Sequence, residues 1–121
     1  MIKFLSISFL FILSAYIISS CDKIMPAELL VKPTTLNFGE VANSMNINVI
    51  NTGDEKLDWR VDTNYFIQPW ISYSPFSGSN EGNITVSVNR DTLAHGSYNG
   101  ELHIFSNGGV AKVDIILIVF K

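Results

Sequence analysis

Strict alternation of apolar and polar residues runs through the chain after residue 28 and leaves few folds open to it. In MNINVI, Met45, Ile47 and Val49 share one side while Asn46 and Asn48 take the other. LDWRVD repeats the pattern, with Leu57, Trp59 and Val61 set against Asp58, Arg60 and Asp62. NITVSVNR turns Ile84, Val86 and Val88 one way, and SYNGELHIFS does so with Tyr98, Leu102 and Ile104. Successive side chains of a strand point to opposite faces, so each run predicts a strand with one buried side. Turn residues separate them: NTGDEK with Gly53, SPFSG with Pro75 and Gly78, and SNGG at 106–109, the last a hairpin signal. LLVKPTTLNF reads as a first strand split by Pro33, which cannot donate to a central ladder. WISYS is a further short strand, and VAKVDIILIVF ends the chain. About seven to eight short strands with no helical stretch predict an all-β, immunoglobulin-like β-sandwich. Trp59 then takes the place of the core tryptophan, and Tyr98 that of a tyrosine corner at the start of the penultimate strand.

The first 20 residues break the pattern. Lys3 is their only charge, and an almost unbroken apolar run follows from Phe4 to Ile18. A basic start, an apolar stretch and small residues at its end describe a secretory signal over residues 1–20. As a helix, about 15 apolar residues span ~22 Å, short of a ~30 Å hydrocarbon core, which disfavours a retained transmembrane anchor. Ile18-Ser19-Ser20-Cys21 resembles the bacterial lipobox, and Cys21 is the only cysteine of the chain. The resemblance implies cleavage before Cys21, a diacylglycerol on its sulfur and an acylated amino terminus; a free thiol is the alternative. Two or more acyl chains anchor stably, at ~0.8 kcal/mol per buried methylene. Without a second cysteine the fold cannot rely on an intrachain disulfide. Residues 21–28 then form the lipidated cysteine and a short polar tether reaching at most ~25 Å, and residues 29–121 form the domain. The expected location is the cell envelope, lipid-anchored in the outer membrane.

Of eight Lys and Arg, cleavage removes only Lys3, so seven basic residues face eleven acidic ones, a balance of −4. No Lys/Arg cluster exists that could neutralise a phosphate backbone, which excludes nucleic acid as a partner.

The motifs LNFG, INTGDEKLDWRV, WISYSPFSG, GNITVSVNRDTL and GSYNGELHIFSNGG, taken in order, resemble a BACON domain (Bacteroidetes-associated carbohydrate-binding often N-terminal) over about residues 31–120. The opening LNFGEV and NTG are also similar to ASH and Hydin-type immunoglobulin-like domains, whereas the later motifs favour BACON. The resemblance implies a sandwich in an exported protein, without catalysis. It implies binding to a polysaccharide or mucin, or a spacer or partner role in a surface protein complex.

The residues themselves give enzyme chemistry no support. A nucleophile needs a base within hydrogen-bond reach, yet His95 lies in a loop, His103 falls on an outward strand face, and neither is part of a motif. Asn51, Asp54, Glu55 and Asp58 in NTGDEKLD match no calcium-loop spacing and read as a polar turn. No metal or cofactor is expected. Glycan binding calls for exposed rings beside amides, and TNYFIQPWISY concentrates Tyr65, Phe66, Trp70 and Tyr73 with Asn64 and Gln68 among them. The alternative is that Trp70 and one of Tyr65 or Phe66 plug the open end of the sandwich. In VDIILIVF, Val113, Ile115, Leu117 and Val119 make one face, and Ile116, Ile118 and Phe120 leave the other without polar cover. That second face is a contact for a protein partner unless LLV and the chain's own loops cover it. Thr92 in DTL resembles a Bacteroidota O-glycosylation acceptor, and Asn83 in NIT fits the N-glycosylation pattern.

Overall fold

The computed structural model describes residues 23–121, so residues 1–20, expected to form a secretory signal, and Cys21 lie outside the described residues. Nine strands follow in order: β1 Leu29–Lys32, β2 Thr35–Gly39, β3 Ser44–Asn51, β4 Asp58–Val61, β5 Ile71–Ser74, β6 Ser77–Ser79, β7 Gly82–Val88, β8 Gly96–Ser106 and β9 Gly109–Val119. They form a four-stranded sheet, β1-β3-β7-β5, and a five-stranded sheet, β2-β9-β8-β4-β6. The protein is an immunoglobulin-like β-sandwich with no helix among the described residues.

The alternation places the core where the sequence predicts. Ile47, Val49, Ile84 and Val86 from the four-stranded sheet are buried against Leu102, Ile104, Val113, Ile115 and Leu117 from the other. Removing that apolar area from water, at roughly 25 cal/mol per Å², is what drives the two sheets together. The break at Pro33 does more than interrupt a strand. β1 pairs antiparallel with β3, whereas β2 pairs parallel with β9, so the chain changes sheets between Lys32 and Thr35. LLV therefore covers the neighbouring sheet's edge and not the second face of the last strand, a correction to the cover expected from it.

Two aromatics hold the positions predicted for them. The Trp59 side chain is buried at 4 % exposure, and its indole N–H donates to the Asn80 carbonyl at 3.0 Å. Gly78 and Gly82 lie against its ring, and a Cβ at Gly78 would fall 2.4 Å from Cζ2. Gly78 is thus part of β6, paired with Trp59 of β4, and not the turn residue that SPFSG suggests. The Tyr98 hydroxyl donates to the Ala94 carbonyl four residues upstream at 2.7 Å, closing a tyrosine corner.

The amino-terminal tether is shorter than its composition implies. From Met25 onward it is bound to the domain. Asp54 and Glu55 donate backbone N–H groups to the Met25 carbonyl, the Asp54 carboxylate accepts the Met25 N–H, and Thr52 donates to the Glu28 carbonyl. Leu29 donates to the Gly108 carbonyl at 3.0 Å. At the other pole Arg90 donates to the carbonyls of Gly39 and Ile118 and to the Asn43 side chain. Lys121 reaches the Asp91 carbonyl there. β9 runs between the two poles, ~37 Å at ~3.4 Å per residue.

Candidate functional site

β4, β8 and β9 turn Trp59, Val61, Leu102, Ile104, Val113 and Ile115 into the core. The pleat then obliges their alternate residues to line the outer face of the five-stranded sheet. Register fixes which of them meet: Asn99 stands opposite Ile116, Glu101 opposite Asp114, His103 opposite Lys112 and Phe105 opposite Val110. Arg60 stands opposite Phe105 from β4, with its guanidinium carbon 4.8 Å from the ring centroid.

Onto this face the β4–β5 connection folds back. The Asp62 N–H donates to the His103 carbonyl at 2.7 Å, and the Asp62 carboxylate accepts the Asn64 N–H at 3.0 Å, which turns the chain over β8. The Tyr65 ring then lies on the His103 ring, centroids 3.8 Å apart and 9° from parallel. Phe66 stands beyond it beside Asn99, Glu101, Asp114 and Ile116. The segment next turns inward, and Gly100 makes this possible. A Cβ there would meet Ile71 at 2.5 Å, Gln68 at 3.3 Å and Trp70 at 3.6 Å.

The charges on this face are spent on one another. His103 Nε2 is 3.0 Å from Glu101 Oε1, Lys112 Nζ is 3.8 Å from Glu101 Oε2, and the same ammonium is 3.6 Å from Asp114 Oδ1. The hydrogen bond from His103 holds the Glu101 carboxyl below its ordinary range, Lys112 adds to this, and desolvation works against both. These pairs are exposed and screened by water, and they link residues of β8 and β9 to one another rather than to the loop. The Tyr65–His103 stack is the side-chain contact that seats the loop on the strand.

The sequence candidates divide sharply. Tyr65 and Phe66 are exposed at 52 % and 73 %. Asn64 is exposed on the same connection and Gln68 is half-buried at the edge of the face. Trp70 is 7 % exposed and its ring meets Tyr98 edge-on at 6.1 Å inside the sandwich, which fits the plug and not an exposed stacking ring. Tyr73 also leaves the site, because β5 belongs to the four-stranded sheet, where Tyr73 pairs with Val86 and packs on the core. Ile116 is half-buried on the outer face, and Ile118 is half-buried opposite Ser97. Phe120 is exposed beyond β9, its ring 5.3 Å from that of His95. Thr92 is exposed on the turn after β7. Cys21 lies outside the described residues. Asn51 accepts the N–H groups of Glu28 and Gly53, and among the described residues no cluster of His, Cys, Asp or Glu could hold a metal.

Phe105 and the Glu101–His103–Lys112 cluster escaped the sequence reading. Their signal was present, since alternation in SYNGELHIFS sends Glu101, His103 and Phe105 outward together. Nothing local showed that residues 62–68 would return to cover them.

The fold recurs widely among solved structures. A chain of the Bacteroides ovatus GH5 xyloglucanase in complex with a XXXG heptasaccharide matches with a TM-score of 0.61 at 11 % identity. The match covers 79 % of this chain and only 19 % of that one. A chain of the CsuC–CsuE chaperone–tip adhesion subunit complex from archaic chaperone-usher Csu pili of Acinetobacter baumannii matches at 0.61 and 12 %, over 77 % of this chain and 57 % of that one. The C. elegans MSP family member WR4 matches at 0.55 and 13 %, over 78 % and 99 %. At such identities the likeness shows the sandwich alone. No curated protein matches the chain. The family model described as the viral BACON domain matches residues 28–114, a span that takes in eight complete strands and most of β9 but not Cys21. The chain belongs to the viral BACON domain family.

Proposed function

We propose that the protein is a non-catalytic cell-envelope lipoprotein that binds glycans or glycoproteins on the outer face of its five-stranded sheet. The observation that carries this reading is the Tyr65 ring, laid flat on His103 at 3.8 Å and still about half exposed. A pyranose presents an apolar C–H face that stacks on such a ring while neighbouring amides and carboxylates take its hydroxyls. Phe66, Gln68, Asn99 and Glu101 supply a second ring and those polar groups beside it. Membership of the BACON family supports a carbohydrate-binding type of module. The signal segment and Cys21 support lipid anchorage in the outer membrane. With Met25 bound to the domain, a lipid on Cys21 would be only four residues away, at most ~14 Å of chain, which would keep the domain at the lipid surface.

A screen of the protein against mucins and plant and microbial polysaccharides tests the reading, with a folded Tyr65→Ala/Phe66→Ala variant beside it. Binding by the wild type that the variant loses is the expected result. Equal binding by both would move the site elsewhere. Labelled palmitate incorporated by the wild type and lost in Cys21→Ala checks the anchor.

One observation favours a second reading, a spacer in a surface assembly. Met25 and Lys121 lie at opposite poles of the sandwich, so whatever is joined to one end is held a domain's length from the other.

A further inference from the structure

The outer face continues well beyond Tyr65 and Phe66. Three depressions follow one another along β8. The first, about 690 Å³, is bordered by Arg60, Ser77, Ser79, Phe105 and Asn107. The second, about 470 Å³, is bordered by Asp62, Tyr65, His103, Phe105, Val110 and Lys112. The third, about 530 Å³, is bordered by Phe66, Gln68, Asn99, Glu101, Asp114 and Ile116. Phe105 belongs to both the first and the second, and the stack of Tyr65 on His103 next to Glu101 divides the second from the third. From Asn99 to Asn107 the track extends ~27 Å at ~3.4 Å per residue, several times the length of one pyranose ring. His103 and Phe105 are two residues apart on one face, so the Tyr65–His103 stack and the Phe105 ring are spaced ~7 Å along the strand, a step suited to successive sugar units.

Charge selects among glycans. The track carries Arg60 and Lys112 against Asp58, Asp62, Glu101 and Asp114. Lys112 is bracketed by Glu101 and Asp114, and Arg60 is spread over the Phe105 ring. With two cations against four carboxylates along the track, a polyanion would meet net negative charge at close range.

We infer that this face is an extended track with three subsites, filled by a neutral oligosaccharide of at least three units lying along β8, and that it rejects polyanionic glycans. The inference rests on the glycan-binding reading and adds to it Phe105, the ligand's length and its charge.

The test uses the full chain purified in detergent. Its affinity is measured for neutral cello-, manno- and laminari-oligosaccharides of one to six units, and for heparin and polygalacturonate. The expected result is affinity for one neutral series that rises by at least about tenfold from the disaccharide to the tetrasaccharide, with neither polyanion bound. Phe105→Ala, at a position 43 % exposed, lowers tetrasaccharide affinity roughly three- to tenfold and leaves disaccharide affinity within about twofold. The length series is independent of whether that variant folds. Affinity that does not grow with length, tighter binding of either polyanion, or tetrasaccharide affinity indifferent to a folded Phe105→Ala would overturn the track while leaving glycan binding at Tyr65 and Phe66 intact. Absence of binding to every probe would fail the proposed function and the track together.

Discussion

The rings of Tyr65 and His103 lie 3.8 Å apart and 9° from parallel, joining a loop to a strand 38 positions later in the chain. This contact, with the Asp62 N–H on the His103 carbonyl, decides where the β4–β5 connection rests. His103 acts here as a positioning residue. His103→Ala removes the surface on which Tyr65 lies, and hydrogen exchange at residues 63–67 is expected to rise severalfold with the melting temperature nearly unchanged. His103→Phe keeps a flat partner and is expected to restore the protection. Unchanged exchange in His103→Ala would show that the loop is seated by other contacts.

Glu101 supplies the acid-side dependence of the same cluster. Its carboxyl is held below the ordinary value of 4.5, first by the hydrogen bond from His103. A lowered pKa means that the folded state favours the carboxylate, so the stabilisation is present above pH ~4.5 and is lost as pH falls through the lowered value. The group is exposed, and the effect is small. Urea midpoints measured from pH 6 to pH 3 should fall more steeply in the wild type than in Glu101→Gln; parallel curves would contradict this.

Gly78 and Trp59 set a steric limit in the core. An alanine Cβ at 78 would sit 2.4 Å from Cζ2 of an indole fixed by its hydrogen bond to Asn80. Gly78→Ala should cost ~1–3 kcal/mol, a drop of roughly 5–20 °C in Tm for a domain of this size. Thermal unfolding followed by tryptophan fluorescence reads it directly, and an unchanged midpoint would show that the ring has room to shift.

Much of this architecture was legible as alternation. Ile47, Val49, Trp59, Ile84 and Leu102 fall in the core that period two predicts for them, because one-sided burial imposes the pattern strand by strand. SNGG places the β8–β9 hairpin and with it the cross-strand partners of His103 and Phe105. The site was less legible, since it depends on a loop crossing to a distant strand. Tyr65, Phe66 and Trp70 sit in one short polar-aromatic segment with no period. Whether a ring faces out or in is settled there by Gly100, the position under Trp70 and Ile71 where a side chain is missing. The sheet change at Pro33 was readable as a break but not as a switch, because a proline says where pairing stops and not where it resumes.

Asn80 joins three segments from an unusual backbone conformation. Its φ is +55°, its side-chain oxygen accepts from the Leu57 N–H at 3.0 Å and the Asn51 amide at 3.2 Å, and its carbonyl accepts the Trp59 indole. Asn80→Ala loses both side-chain bonds and places a residue that disfavours positive φ there, for ~1–3 kcal/mol. Asn80→Gly keeps the backbone geometry and loses only the bonds. Denaturant unfolding should rank wild type above Gly and Gly above Ala; a reversed order of the two variants would mean that backbone conformation matters little.

Gly53 locks the amino-terminal segment. A Cβ at this position would lie 1.8 Å from the Pro26 carbonyl oxygen, too close for Pro26 to stay where it is. Gly53→Ala should release residues 23–27 to limited proteolysis while β1 to β9 remain folded. Resistance equal to wild type would contradict the docked tether.

The central claim is that ligand lies on the outer face of the five-stranded sheet. Amide chemical shifts of the labelled protein, followed during titration with the neutral oligosaccharide that binds in the length series, test it most directly. The account predicts shifts at Tyr65, Phe66, Asn99, Glu101, His103, Phe105 and Lys112, with β1, β3, β5 and β7 unmoved. Shifts confined to the four-stranded sheet, or to the pole around Phe120, would contradict it.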